Sequence, residues 1–402
     1  MIKAQTLKGF RDFLPEIAIQ RQKIISQLKN IFELFGFDPL ETPALEYGET
    51  LMGKYGQEAD KLLYLFQDKG KRLVGLRYDQ TVPLARVVAM YPQIPKPFKR
   101  YQIQPVWRAE NPQKGRFREF LQCDIDIVGE TSLLADFEIL NCVLSAFKAL
   151  GFKKTKVILN DRQNFYGIEN KFINTIDKLP KIGKEKVIEE LTKKGLEVNK
   201  AKELINNLQK KPKTNNLETI TQLLVEAGYK ENIDFEYRPT LARGLDYYTG
   251  LIFEVIDEDY PSGSLGGGGR YDKLIGLFTG QDQPAVGFAF GFDRIIEALE
   301  NLKILSNVNT NTQVLVTIFS TELLNQSISI VNKLRQNNIK ADLYSNDQAK
   351  IDKQLKYADK KGIPYVIIIG PDEAKNNLIK LKNLKTGDQR QMKIDEVIER
   401  LK

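Results

Sequence analysis

The chain has 402 residues, 42% of them hydrophobic and 28% charged, which excludes bulk disorder and leaves room for two or three domains with cores of their own. Its formal net charge of +8, from 60 Lys and Arg against 52 Asp and Glu, suits a polyanionic partner and equally a plain Lys-rich surface. Histidine is absent, so the commonest metal ligand and neutral-pH base are excluded, and any chemistry rests on Arg, Lys, carboxylates, Tyr and bound ions. Cys123 and Cys142 form no CxxC pair, and the N-terminal MIKAQTLKGF lacks an apolar signal core. Both observations point to a reducing cytoplasm. No apolar run approaches the roughly 20 residues that a membrane helix needs, so no membrane partner is expected.

In chain order, Ile24, Leu28, Ile31 and Phe35 recur at helical spacing and Gly36 offers a stop, predicting a helix from about Pro15 to Phe35. The prolines of FDPLETPAL (37–45) allow only an edge or irregular strand. LRYDQTVPLARVVAM (76–90) reads as a strand end, a polar turn and an apolar helix, in which Asp79 and Thr81 suit a helix cap. RYQIQPVWRAENPQKGRFREFLQCDIDIV (100–128) is a hairpin pattern with a long basic loop. Its second strand sets Gln122, Asp124 and Asp126 on one face and Leu121, Cys123, Ile125 and Ile127 on the other. Such a polar face is either wet, as in many antiparallel sheets, or built for a ligand. A buried helix follows over about 131–150.

From about 167 to 230 the composition shifts to Lys, Glu, Asn and Leu, which predicts several short inserted helices. There Lys210, Lys211 and Lys213 form either an exposed basic face or contacts to phosphates. RGLDYYTGLIFE (243–254) sets an arginine, an aspartate and two tyrosines before an alternating strand. Arg243 offers a fixed fork of donors suited to a carboxylate or phosphoryl oxygen, while Tyr247 and Tyr248 suit either a ligand or an ordinary strand. The glycine run of SGSLGGGGRYD (262–272) fits either a close approach to a flat ligand or a flexible hairpin tip. VGFAFGFDRIIEALENL reads as strand, turn and helix, and Arg294 in the first helical turn opposes the helix dipole, a position that a bound anion would compensate. Beyond a polar linker, strands and helices alternate to the end of the chain in an α/β pattern.

The stretch Arg-Gly-Leu-Asp-Tyr-Tyr-Thr-Gly resembles the signature of histidyl-tRNA synthetases almost letter for letter. The remaining motifs follow in the order of that class II aminoacyl-tRNA synthetase family. The 15–45 region resembles motif 1, which forms the family's dimer interface. The 100–128 region resembles motif 2, and 286–302 resembles motif 3. The resemblance implies an α+β catalytic core with an antiparallel sheet, a helical insertion and a C-terminal α/β domain. It divides the chain into a first catalytic part (1–166), an insertion (167–230), a second catalytic part (231–304) and an anticodon-binding domain (312–402).

It further implies activation of L-histidine by ATP to histidyl-adenylate and pyrophosphate, then transfer to the 3′ end of tRNA(His). ATP would arrive with Mg2+, no protein-bound metal site is expected, and the enzyme would be a cytoplasmic homodimer. Residue by residue, Arg108, Arg116, Arg243 and Arg294 fall on ATP-binding positions, Arg108 and Arg243 being catalytic. Asp79, Thr81, Gln122, Asp126, Tyr247, Tyr248 and Tyr271 fall on histidine-binding positions. Gln113, Lys114 and Arg118 are tRNA-contact candidates. Asp79 and Asp126 stand where many bacterial members have glutamate, the archaeal and eukaryotic pattern. Two rivals share this core: a histidine-sensing regulatory subunit of ATP phosphoribosyltransferase, which generally lacks the full tyrosine signature and the C-terminal domain, and a class II synthetase for threonine, proline or glycine, against which the signature argues.

Overall fold

The computed structural model describes residues 2–54, 60–112, 117–242, 247–305 and 308–402. Two compact units emerge, Met1–Asp12 with Ile24–Ile304, and Phe13–Lys23 with Leu305–Lys402.

The larger unit is built on an eight-stranded sheet and a small three-stranded one. In chain order its strands are β1 (Asp38–Pro39), β2 (Leu45–Tyr47), β3 (Tyr64–Gln67), β4 (Leu73–Leu76), β5 (Phe98–Trp107), β6 (Glu119–Val128), β7 (Thr155–Asp161), β8 (Phe235–Tyr237), β9 (Leu251–Asp257), β10 (Gly266–Arg270) and β11 (Ala285–Phe290). The large sheet runs β1-β5-β6-β11-β10-β9-β7-β8 and the small one β2-β4-β3. Every pairing from β5 to β7 is antiparallel, as expected. Only the edge pairs β1/β5 and β7/β8 are parallel.

Amphipathic helices cover the apolar side of this sheet. The Pro15–Leu34 helix buries Ile24, Leu28 and Phe32, one face at four-residue spacing, and Phe32 meets the rings of Tyr101 and Phe290. Its stop is the predicted one: Gly36 takes φ +73°, and Phe37 N–H donates back to Phe32 O. The Leu133–Ala149 helix starts at Ser132, whose side chain accepts from Leu134 N–H, and sends Phe147 to stack on Phe290. Arg270, at the end of β10, grips this helix start. Its guanidinium pairs with the fully buried Asp136 and donates to the carbonyls of Glu130 and Ser132.

The predicted insertion holds four helices, Asn170–Ile176, Leu179–Lys193, Val198–Gln209 and Asn215–Glu226. Phe172, Val187, Leu191 and Ile205 pack into one core with Leu241, Tyr248 and Ile252. Of its lysines, Lys211 donates to Asn164 O and Lys213 pairs with Glu231 at 2.6 Å, while Lys210 is exposed.

The glycine run is no hairpin tip. It is β10, buried and bonded to a neighbour on each side. Glycine is required by proximity: a Cβ at Gly268 would lie 2.0 Å from Gly287 O, and one at Gly266 2.6 Å from the Phe288 ring.

The smaller unit carries strands β12 (Val314–Val316), β13 (Ala341–Leu343), β14 (Tyr365–Ile368), β15 (Ile379–Asn383) and β16 (Gln389–Met392) in the order β13-β12-β14-β15-β16. The Leu324–Gln336, Ile351–Lys361 and Ile394–Leu401 helices supply the alternation of strands and helices that the sequence pattern predicts. The pattern misses β16 and the short Pro371–Asn376 helix. β16 is a mostly exposed edge strand, QRQM, with no apolar alternation to reveal it.

Candidate active site

A cavity of about 490 Å³ opens over the polar face of the large sheet, lined by β6, β10, β11 and several approaching segments. The first segment is the turn from Arg77 to Gln80. Buried Arg77 donates to Thr42 O, Gln104 Oε1 and Pro105 O, and Gln80 Nε2 donates to the carbonyls of Gln104 and Gln122. The turn is thereby fixed on β5 and β6, and the Thr81–Met90 helix leaves from it. Asp79 Oδ1 accepts from Val82 N–H at 3.1 Å, so the cap role is real. Asp79 and Thr81 also line the cavity.

β6 supplies the floor. Gln122, Asp124 and Asp126 are 7%, 2% and 3% exposed, so the polar face is dry. Gln122 Nε2 donates to Asp124 Oδ2 at 2.7 Å. Asp126 receives the Tyr271 hydroxyl on Oδ1, and its Oδ2 lies 2.7 Å from Nη2 of Arg100, an ion pair out of line for a hydrogen bond. Burial lifts the Asp124 carboxyl to about 8, against the opposing charge of Arg100. Burial also raises Asp126, and again Arg100 opposes it. Buried oxygens Gln80 Oε1, Gln122 Oε1 and Asp124 Oδ1 have no hydrogen-bond partner among the described residues. Such acceptors are costly to leave bare and call for a donor from outside.

Tyrosines make the wall. Tyr247 meets Tyr248 at 4.9 Å between ring centroids and Tyr271 at 5.9 Å. Burial holds the Tyr247 and Tyr271 hydroxyls far above their usual range, so both stay neutral and can donate. Tyr248 belongs at once to this wall and to the core of the helical insertion.

Two cations complete the lining. Arg108 follows the last residue of β5 and lies over the Tyr78 ring, 4.4 Å from its centroid, with Phe120 at 4.9 Å. Its Nε donates to Tyr78 O, and its backbone N–H to Arg118 O closes the hairpin. Arg294, at the start of the Phe292–Asn301 helix, donates from Nη1 to Ser264 O at 3.1 Å. Neighbouring Asp293 pairs with Arg11, whose guanidinium covers the Phe117 ring.

The cavity thus brings together Asp79, Thr81, Arg108, Gln122, Asp126, Tyr247, Tyr248, Tyr271 and Arg294. It does not include Arg118, which donates instead to the carbonyls of Glu110 and Lys8. Arg243, Gln113, Lys114 and Arg116 lie outside the described residues. Sequence reasoning set Asp124 on the polar face of β6 without giving it a role, and missed Glu110 in the lining and the buried Arg100 behind it. Hairpin register held the signal for Arg100, which is the cross-strand partner of Asp126. Among the described residues, no cluster of three or more Cys, Asp or Glu side chains is placed to hold a metal ion.

Comparisons with known proteins fit this geometry. The family model described as histidyl-tRNA synthetase matches residues 9–295, and that for an anticodon binding domain matches 313–402. A histidine–tRNA ligase of Cytophaga hutchinsonii is 40% identical, each chain being covered in full. One of Christiangramia forsetii is 41% identical over 95% of each. Among solved structures, the histidyl-tRNA synthetase of a Nostoc species superposes with a TM-score of 0.86 at 30% identity, covering all of both chains. By these matches the chain belongs to the histidyl-tRNA synthetase family.

Proposed function

We propose that the protein is a histidine–tRNA ligase, which activates L-histidine with ATP and passes the histidyl group to tRNA(His). The observation that carries this reading is the dry acidic floor of Gln122, Asp124 and Asp126 beside Tyr271, in one cavity with Arg108 and Arg294. Such a floor satisfies the two nitrogens of an imidazole. Amino acids with apolar side chains would leave its polar groups unpaired, which is the strongest form of rejection available to a binding site. Full-length relatives bearing the name histidine–tRNA ligase support the same assignment.

In the activation step the histidine carboxylate attacks the α-phosphorus of ATP, and pyrophosphate leaves. That chemistry asks for in-line positioning and charge stabilisation rather than a protein nucleophile. Asp79, Thr81 and Gln122 take the α-amino group, and Asp126 and Tyr248 face the imidazole, with Tyr271 aligning Asp126. Arg108, held near the rings of Tyr78 and Phe120, meets the α-phosphate together with Arg243, and Arg294 meets the γ-phosphate. Arg116 is assigned to ATP as well. Mg2+ enters with ATP as part of the substrate.

In the transfer step a ribose hydroxyl of the terminal adenosine attacks the adenylate carbonyl and AMP leaves. Gln113, Lys114 and Arg118 are assigned to the acceptor end, Arg118 by shaping the hairpin loop. Residues 312–402, which carry the match to an anticodon-binding domain, take the anticodon. Residues 1–166 and 231–304 form the catalytic domain and 167–230 the insertion that buttresses Tyr248.

The working form we assign is a homodimer. The three-stranded sheet exposes Leu45, Tyr47 and Phe66 on one face, an apolar surface that a second copy would cover. A cytoplasmic setting agrees with Cys123 and Cys142 being unpaired thiols. The test is aminoacylation: with ATP and tRNA(His), histidine should become acid-precipitable. A folded protein that binds histidine and never charges tRNA would favour the regulatory reading instead.

A further inference from the structure

Arg100 is fully buried, yet it lines no part of the cavity. It stands directly across the β5/β6 ladder from Asp126, with Nη2 2.7 Å from Asp126 Oδ2. Its other contacts are weak: Nη1 and Nη2 lie 3.4 Å from Gln102 Oε1 and Gln80 O, and buried Nε has no hydrogen-bond partner among the described residues. A buried cation so thinly served by other groups is held mainly by the carboxylate it faces.

The same carboxylate is pinned from its other sides. Tyr271 donates to Oδ1, and a Cβ at Gly287 on β11 would fall 1.9 Å from that oxygen. We infer that Arg100 is a positioning residue for histidine recognition: its guanidinium fixes Asp126 beside Tyr271 as a charged acceptor for an imidazole N–H. This rests on the reading of Asp126 as the imidazole acceptor.

Among the described residues, the surroundings of Asp126 leave that task to Arg100. β6 adds only the acid Asp124, β11 adds Gly287 without charge, and the turn before the Thr81–Met90 helix adds the acid Asp79. The tyrosine wall adds Tyr247, Tyr248 and Tyr271, which carry no positive charge. Arg100 is the cation that opposes the burial of both Asp124 and Asp126. Without it, only the Tyr271 hydrogen bond opposes burial and Asp126 shifts further toward its protonated form, which turns a fixed acceptor into a group that also donates.

The experiment measures KM for histidine and for ATP by pyrophosphate exchange from pH 6 to 9.5, with melting curves, for full-length Arg100→Met, Arg100→Lys, Asp126→Asn and the Met/Asn double variant. At pH 7, Arg100→Met should raise the histidine KM about 10- to 100-fold, as expected for losing the buried charge that faces Asp126, with the ATP KM within about twofold. That defect should shrink as pH rises and Asp126 ionises. Arg100→Lys keeps the charge, so its smaller defect should stay flat with pH, and the double variant should be no worse than Asp126→Asn alone. Equal, pH-independent losses for histidine and ATP would overturn the inference and leave Arg100 a structural residue. If Arg100→Met does not fold, Arg100→Gln, which also removes the charge, takes its place, and equal, pH-independent losses for histidine and ATP in that variant overturn the inference. An Asp126→Asn enzyme with normal histidine KM overturns the reading of Asp126 and the inference with it.

Discussion

Arg108 illustrates how the site prepares a charge before substrate arrives. Its guanidinium lies near the rings of Tyr78 and Phe120, with Nε tied to Tyr78 O, so little side-chain freedom remains to be lost when a phosphate binds. Arg108→Ala should lower kcat of pyrophosphate exchange about 100- to 1000-fold, the usual loss for one preorganised donor, with a much smaller change in histidine KM. Steady-state exchange kinetics check this. Asp124 makes a second prediction, on stability. Its carboxyl titrates near 8 in the fold against about 3.9 unfolded, so between those values the folded state holds one more proton. Stability therefore falls as pH rises through that window, by at most about 1.4 kcal/mol per pH unit from this group. Asp124→Asn should flatten the fall. Melting temperatures compared at pH 5 and pH 8 should show the variant gaining on the parent at the higher pH.

Elements hold these residues in place, and two of them are open to test. Arg270 joins the end of the glycine strand to the start of the Leu133–Ala149 helix through the buried Asp136. Arg270→Leu strands that carboxylate and should cost about 3–5 kcal/mol of unfolding free energy, measured by denaturant titration. The helical insertion carries Ile205, fully buried in the core that also holds Tyr248. Ile205→Ala should cost about 2–5 kcal/mol and raise the histidine KM, because the tyrosine wall loses its backing. Loss of stability with an unchanged KM would separate the insertion from the site.

The same elements explain what the sequence could and could not reveal. Long amphipathic helices and the β5/β6 hairpin were legible because their apolar positions repeat at helical or strand period. The four-glycine stretch was not, since glycines carry no hydrophobic period, and only neighbours remote in sequence, Phe288 and Gly287 on one side and Tyr248 and Leu251 on the other, explain why Gly266, Gly268 and Gly269 lack side chains. Likewise the alternation of β6 identified its polar face, whereas its dryness depends on β11 and the tyrosines, which are remote in sequence. Arg100 went unseen for want of cross-strand register.

At the scale of the whole molecule, one chain unites a mostly antiparallel sheet with a dry acidic floor, a helical insertion behind its tyrosine wall and an α/β unit matched to anticodon binding. The central claim is that this cavity activates histidine and no other amino acid. It is tested most directly by ATP–pyrophosphate exchange with purified protein and each of the standard amino acids in turn. The account predicts exchange that depends on histidine alone. Exchange with threonine, proline or glycine, or none with any amino acid in a folded protein, would contradict it.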